Sequence, residues 1–205
     1  KWVFSINGGY SRRLAKVADN EYADQNEKLK TGYHLGADIA YYFSEGFGIG
    51  AKCVVFKTSH SQDVYLIANS YDAYHHIYDY QNPFAYVRTT EYTYKYVRVE
   101  DKHTIPFIGP MISTRFYGEK RQSIFLMNYS IGYLWYKDKR MEDNSSFTFT
   151  GNTLGLLIDL GYDYWFSKNN ALGVRLSLIG GSLKKYTYDN GKTKEKVNLD
   201  KNKYE

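Results

Sequence analysis

Three groupings of residues in this chain could do chemistry by type and spacing. Asp72, His75, His76 and Asp79 stand at i, i+3, i+4 and i+7. On a helical turn that spacing brings all four to one face, where imidazole nitrogens and carboxylate oxygens are plausible Zn²⁺ ligands. A polar loop that happens to hold adjacent histidines is the plainer account, and no metal or other cofactor is expected. The second grouping is ionic. Asp38, Lys52, Arg115, Asp159, Asp163 and Arg175 all fall in the same phase of an alternating pattern, three acids and three bases. Charges held away from water need partners of opposite sign, and these could supply one another. The third is Tyr86, Arg88, Thr90, Tyr92, Tyr94, Tyr96 and Arg98, a tyrosine-rich run suited either to contact with a partner, because tyrosine gives rigid amphipathic area at low entropy cost, or to extended loop strands that pack only on each other. Hydrolysis would need a nucleophile beside a base. His34 lies near Asp38, but spacing places no serine against it, so a satisfied interior histidine and no enzymatic activity are expected.

These groups must be held by strands. From Leu154 every second residue reads Leu154, Leu156, Ile158, Leu160, Tyr162, Tyr164, Phe166, with Thr153, Gly155, Leu157, Asp159, Gly161, Asp163 and Trp165 between them. After the polar turn at 167–170, Leu172, Val174, Leu176 and Leu178 resume one face and Gly173, Arg175, Ser177 and Ile179 the other. Period-two alternation on both sides of a tight turn predicts a β-hairpin. Glycine on the polar face is the informative feature, since it weakens a strand and suits a narrow interior without room for side chains. The expectation is a transmembrane β-barrel with lipid on the bulky face and a polar, plugged interior.

At 205 residues the chain suits one domain, 1–205. Its 23 tyrosines and mean hydropathy of −0.57 leave no apolar run near the ~20 residues of a membrane helix, which excludes helical spanning but not a barrel. The lone Cys53 forms no internal disulfide and falls on the bulky face, as a filler residue. The net charge of +5 is spread over loops, and no helix or motif organises it for nucleic acid. Strand pattern starts at Trp2, so a signal peptide is expected to have been removed.

The same asymmetry recurs along the chain. Trp2, Phe4, Ile6, Gly8 and Tyr10 give a first strand, then a polar loop runs over 14–30. Tyr33 to Phe43 and Phe47 to Val55 flank a turn at 44–46, which sets Asp38 and Lys52 opposite one another. The region 58–103 is predicted to continue the strands upward as an extended ribbon. Ile108 to Phe116 and Phe125 to Trp135 follow, with Pro106 and Pro110 signalling a bulge or weak pairing. A loop is expected over 137–146. Asp163 and Arg175 stand nearly symmetrically about the 167–170 turn. Long and short connections alternate, and Tyr41, Phe43, Phe47, Phe116, Phe125, Tyr164 and Phe166 cluster at the short turns as one aromatic girdle. Tyr10, Tyr33, Tyr133 and Trp135 belong to the other girdle. Seven strands are countable, so the last of an expected eight is absent from this sequence; after Leu183 only a hairpin tip at Asp189-Asn190-Gly191 and a charged tail are read.

Gly32-Tyr33-His34-Leu35-Gly36-Ala37-Asp38, Gly48-Ile49-Gly50-Ala51-Lys52, Phe107-Ile108-Gly109-Pro110 and Gly155-Leu156-Leu157-Ile158-Asp159-Leu160-Gly161-Tyr162 resemble the small outer-membrane β-barrel family, which includes OmpX-like proteins and the membrane domain of OmpA. The likeness covers most of residues 2–185 through diffuse glycine-and-alternation signatures. It implies an antiparallel, eight-stranded up-and-down barrel in a bacterial outer membrane, without enzymatic activity, serving envelope integrity, adhesion or defence. The family's final strand with a terminal aromatic has no counterpart here. Two functions follow as expectations: a surface protein contacting a protein or cell-surface partner through its external loops, or a narrow, porin-like conduit for small solutes. An accessory subunit of a larger outer-membrane complex is a third.

Overall fold

The computed structural model describes residues 1–14, 27–76, 86–119, 122–142 and 145–198, the side chains of 65–68, 76 and 86 excepted. Every element in it is a strand: β1 (Trp2–Arg12), β2 (Thr31–Tyr42), β3 (Phe47–His76), β4 (Tyr86–Tyr117), β5 (Ser123–Glu142), β6 (Ser145–Trp165), β7 (Ala171–Gly181), β8 (Lys185–Asp189) and β9 (Lys194–Asn198). They form one antiparallel sheet in which chain neighbours pair in sequence from β1 to β6. β7 and β8 lie end to end along β6, and β9 pairs with β8. Among the described residues β1 and β7 do not pair with each other, so the sheet is open.

It is nonetheless curled. Arg175 on β7 reaches Asp38 on β2, Lys52 on β3 reaches Asp159 on β6, and the Lys1 ammonium lies over the Trp165 ring. The two faces of the alternation part as the period-two pattern requires. Bulky residues point outward, with Ile6 84% and Leu172 76% exposed, and Ile49, Leu156 and Leu176 are exposed with them. Polar and small residues point inward, where Lys52 and Asp159 are each only 1% exposed. Rings gather at the lower edge, where Phe116 and Phe125 lie 6.3 Å apart, and at the upper edge, where Tyr10 meets Tyr33 and Tyr133 meets Trp135 at 4.5 Å.

The register explains several local features. Asp38 is paired with Lys52, as their equal distance from the 44–46 turn requires. Beyond the Val99↔Glu142 pair, where the described β4–β5 pairing ends, the β3–β4 ladder continues to His76 and Tyr86, except for a shift between Ile67 and Asn69. The ribbon expected over 58–103 is therefore a two-stranded hairpin, whose tip lies outside the described residues. The prolines cause no shift: β4–β5 pairs are interrupted around Pro106 and Pro110, yet Thr104↔Lys137, Phe107↔Leu134 and Met111↔Ser130 keep one register. Close approach there depends on glycine, since a Cβ on Gly109 would lie 2.6 Å from Gly132 Cα.

Three expectations need correction. Residues 137–142 and 145–146 are strand, not loop, because β5 and β6 carry their ladder up to Glu142↔Ser145 with Lys and Thr facing out and Tyr136, Asp138 and Arg140 facing in. Arg175 is opposite Gly161, and Asp163 opposite Gly173, which places the 163/175 pair on a diagonal. After Leu183 the chain forms two short strands rather than a hairpin tip and tail alone, with Gly191 at φ +80° in the turn between them.

Candidate functional site

Inside the curl, side chains stack in three layers. The lower layer holds all six ionic residues singled out from the sequence. Lys52 Nζ donates to Asp159 Oδ2 at 2.6 Å and lies 3.9 Å from Asp38 Oδ1. Arg175 Nη1 donates to Asp38 Oδ1 at 2.5 Å, and its other nitrogen is 4.0 Å from Asp163 Oδ2. Asp159 also accepts from Ser177 Oγ at 2.6 Å and from Asn128 Nδ2 at 3.5 Å, so its lone pairs are taken up. Arg115 joins differently from the rest: its guanidinium lies 3.5 Å over the Tyr42 ring, while Tyr42 Oη, Ser113 Oγ and Asn128 Oδ1 form a chain of 2.6 Å hydrogen bonds. Such a network gives buried polar groups hydrogen-bonding partners in place of water.

Above it lies an apolar layer of Val54, Phe107, Leu134 and Leu157, with Ile105 and Ile179 packed against it. Phe107 and Leu157 are 0% exposed. The layer separates the lower charges from a second polar layer at the upper mouth. There Arg140 grips Asp101 with two hydrogen bonds of 2.8 and 3.1 Å. His103 Nδ1 lies 2.6 Å from Arg13 Nη1, which fixes Nδ1 as the acceptor, and its Nε2 is 3.2 Å from Asp138. The sequence reading missed this layer. Its signal was present: Asp101 and His103 continue the odd-numbered inward phase of Phe107, Gly109 and Met111, but they fall in a stretch read as ribbon.

A serine does stand beside His34. Ser11 Oγ is 2.6 Å from His34 Nδ1, across the β1–β2 ladder, a pairing that chain spacing could not show. Asp38, the acid nearest in sequence, is engaged by Arg175 and Lys52, and among the described residues no acid is hydrogen-bonded to the His34 imidazole.

The ribbon places its residues on two faces. Arg88, Tyr92, Tyr94, Tyr96 and Arg98 share the outer face with Tyr74, and all are exposed. Tyr86 pairs with His76 on the same ladder. Arg88 Nη2 donates to Asp72 Oδ2 at 2.6 Å and Arg98 Nε to Ser61 Oγ at 3.0 Å. On the inner face Glu91 accepts from Tyr71 Oη at 2.6 Å and meets His75 Nε2 at 3.0 Å. The Tyr71 hydrogen bond, with His75 in support, holds the Glu91 carboxyl below the usual glutamate range, and the same bond raises the Tyr71 phenol.

The metal arrangement fails on secondary structure. Residues 72–76 are strand rather than a helical turn, so Asp72 and His75 point to opposite faces and are engaged by Arg88 and Glu91. Asp79 lies outside the described residues, as does the His76 side chain. No cluster of metal-ligating side chains occurs among the described residues.

Comparison with protein-family models, with curated proteins and with solved structures found no match for this chain.

Proposed function

We propose that this chain is a non-enzymatic outer-membrane β-barrel with a plugged interior, which meets a macromolecular partner through the projecting β3–β4 ribbon. The observation that carries it is the inversion of polarity. Fully buried Lys52 and Asp159 face inward while rows of Leu, Ile and Phe from seven adjacent strands are exposed. An apolar patch of that extent marks a membrane or partner surface. Ring pairs at its upper and lower edges suit the two interfaces of a bilayer. No described helix is long and apolar enough to cross a membrane, so spanning would fall to the strands.

Closure belongs to the same reading. β1 and β7 run in the same direction, each 11 residues long, with unpaired edges facing one seam. Their inward side chains are half-buried, whereas those of β3 to β5 at the same height are buried. One strand antiparallel to both would complete eight, and β9 descends toward that position from its pairing with β8.

The apolar layer lies between the two charged layers, and this supports a plugged interior. It favours a surface role over a solute conduit, and the tyrosine face of the ribbon favours a protein or cell-surface partner. Planar-bilayer recording on the purified protein tests this: insertion without discrete conductance steps is expected. Regular single-channel openings would replace the proposal with the conduit. Failure to float with lipid vesicles would remove the membrane reading altogether.

A further inference from the structure

The outer face carries a feature that the ribbon and the ionic interior do not use. Just above the Tyr133–Trp135 ring pair, one rung crosses the sheet as Thr104, Lys137, Thr150, Thr187 and Lys196. With Lys185, Asn152 and Trp135 below, these residues line a groove of about 470 Å³. The next rung sets Lys102 directly opposite Lys139. Like charges facing one another across a ladder destabilise the pairing. The neighbouring acids do not relieve the groove, because Glu100 is held by Lys102 at 2.7 Å and Asp189 by Lys194 at 3.2 Å. Among the described residues Lys137, Lys185 and Lys196 form no ion pair, and all are exposed.

We infer that this groove binds the phosphorylated headgroup of a membrane lipid, an inference that rests on the membrane reading above. Ammonium and hydroxyl groups present the donors that phosphate oxygens accept, and charge-assisted bonds of this kind are strong. Position selects a lipid over a soluble anion. Below the groove the outer face continues through Tyr133 and Leu154 to Ile108, Ile131 and Leu156, an apolar surface along which acyl chains would lie. The aromatic pair marks where headgroup meets hydrocarbon. The ligand is thus an amphiphile with its phosphate at the Lys137 rung and its tails on the strands beneath.

The test uses the whole chain and the triple variant Lys137→Gln, Lys185→Gln, Lys196→Gln. These side chains make none of the interior contacts, so the variant is expected to fold as the parent does. Flotation with phosphatidylcholine vesicles checks the membrane reading first. Both proteins are then placed in bilayer discs of phosphatidylcholine containing a minor fraction of phosphatidic acid, and the lipid that stays bound is counted by native mass spectrometry. The parent is expected to retain phosphatidic acid at least about tenfold above its share of the bilayer, and the variant to lose most of that preference. Titration with inorganic phosphate should neither bind measurably nor displace the lipid. Normal flotation with no preference, or an equal preference in both proteins, overturns the site and leaves the membrane reading standing. Displacement by inorganic phosphate at comparable concentration would make it a site for the free anion. If the protein does not float, both fall together.

Discussion

Strand β3 contributes to two regions that hold ion pairs of the same length in opposite surroundings. Low on β3, Lys52 meets Asp159 at 2.6 Å with side chains 0% and 1% exposed. High on the same strand, Asp72 meets Arg88 at 2.6 Å with side chains 39% and 65% exposed. Equal distances do not mean equal energies. In the interior each charge has lost its water, and its partner stands in for it; on the ribbon, water solvates each charge with or without the other. The contrast teaches what each region is for. The interior fixes one arrangement of strands, and the ribbon displays polar and aromatic groups at little cost to the fold.

The comparison breaks first at Asp159. Asp159→Ala leaves Lys52 buried with only Asp38 at 3.9 Å, and Asp38 is already committed to Arg175. We expect a loss of about 3–5 kcal/mol in urea unfolding. A loss below about 1 kcal/mol would show that Lys52 finds water, and the interior would then not be dry. Adding Lys52→Met to Asp159→Ala should recover much of the loss, since no uncompensated cation remains.

Phe107→Ala probes the layer that divides the two charged zones. Emptying a fully buried aromatic site costs about 3–5 kcal/mol when its surroundings cannot collapse. Under the membrane role proposed above, it should also raise ion leakage across vesicles, if the apolar layer is what interrupts the polar path. Unchanged leakage would place the barrier elsewhere.

Double-mutant cycles sharpen the contrast. The coupling of Lys52 with Asp159 should exceed about 1 kcal/mol, while that of Asp72 with Arg88 should stay below about 0.5 kcal/mol and fade with added salt. Similar couplings in both places would mean that the two environments differ less than their exposure implies.

How much of this was legible beforehand follows the same division. The faces of the lower parts of β1 to β7, the Asp38↔Lys52 register and the six charges of the lower layer could be read, because a period-two pattern fixes which way each side chain points. Contacts across the interior could not. Arg175 finds Asp38 at a separation of 137 residues, and nothing along the chain indicates which far strand a long side chain will reach. The Ser11–His34 pair stayed hidden for a related reason, being a diagonal across a ladder whose register is set by the whole β1–β2 pairing. The 137–146 stretch misled because its residues are polar on both faces; a ladder can be carried upward by its neighbours without an apolar side. The 72–79 spacing misled because i, i+3, i+4 and i+7 has meaning only on a helix, and 72–76 are extended.

The smallest expected effect is a pH response confined to the ribbon. Glu91 is held below its usual range by the Tyr71 hydrogen bond and then by His75. A carboxyl depressed on folding contributes stability that is fully present above its unfolded pKa and is lost as pH falls through its folded one. The ribbon should therefore keep its amide protection from neutral pH down to the ordinary glutamate range, and loosen only below it. Tyr71, raised by the same bond, contributes below its unfolded pKa and gives that up as pH climbs through the folded value, so a second loosening is expected at strongly alkaline pH. Amide exchange at Tyr71, Ala73 and Thr89 reads both ends, with the β3–β4 ladder around Lys52 as the internal reference. Glu91→Gln should abolish the acid response at the ribbon and leave the reference unmoved. An acid response that persists in this variant would overturn the assignment to Glu91.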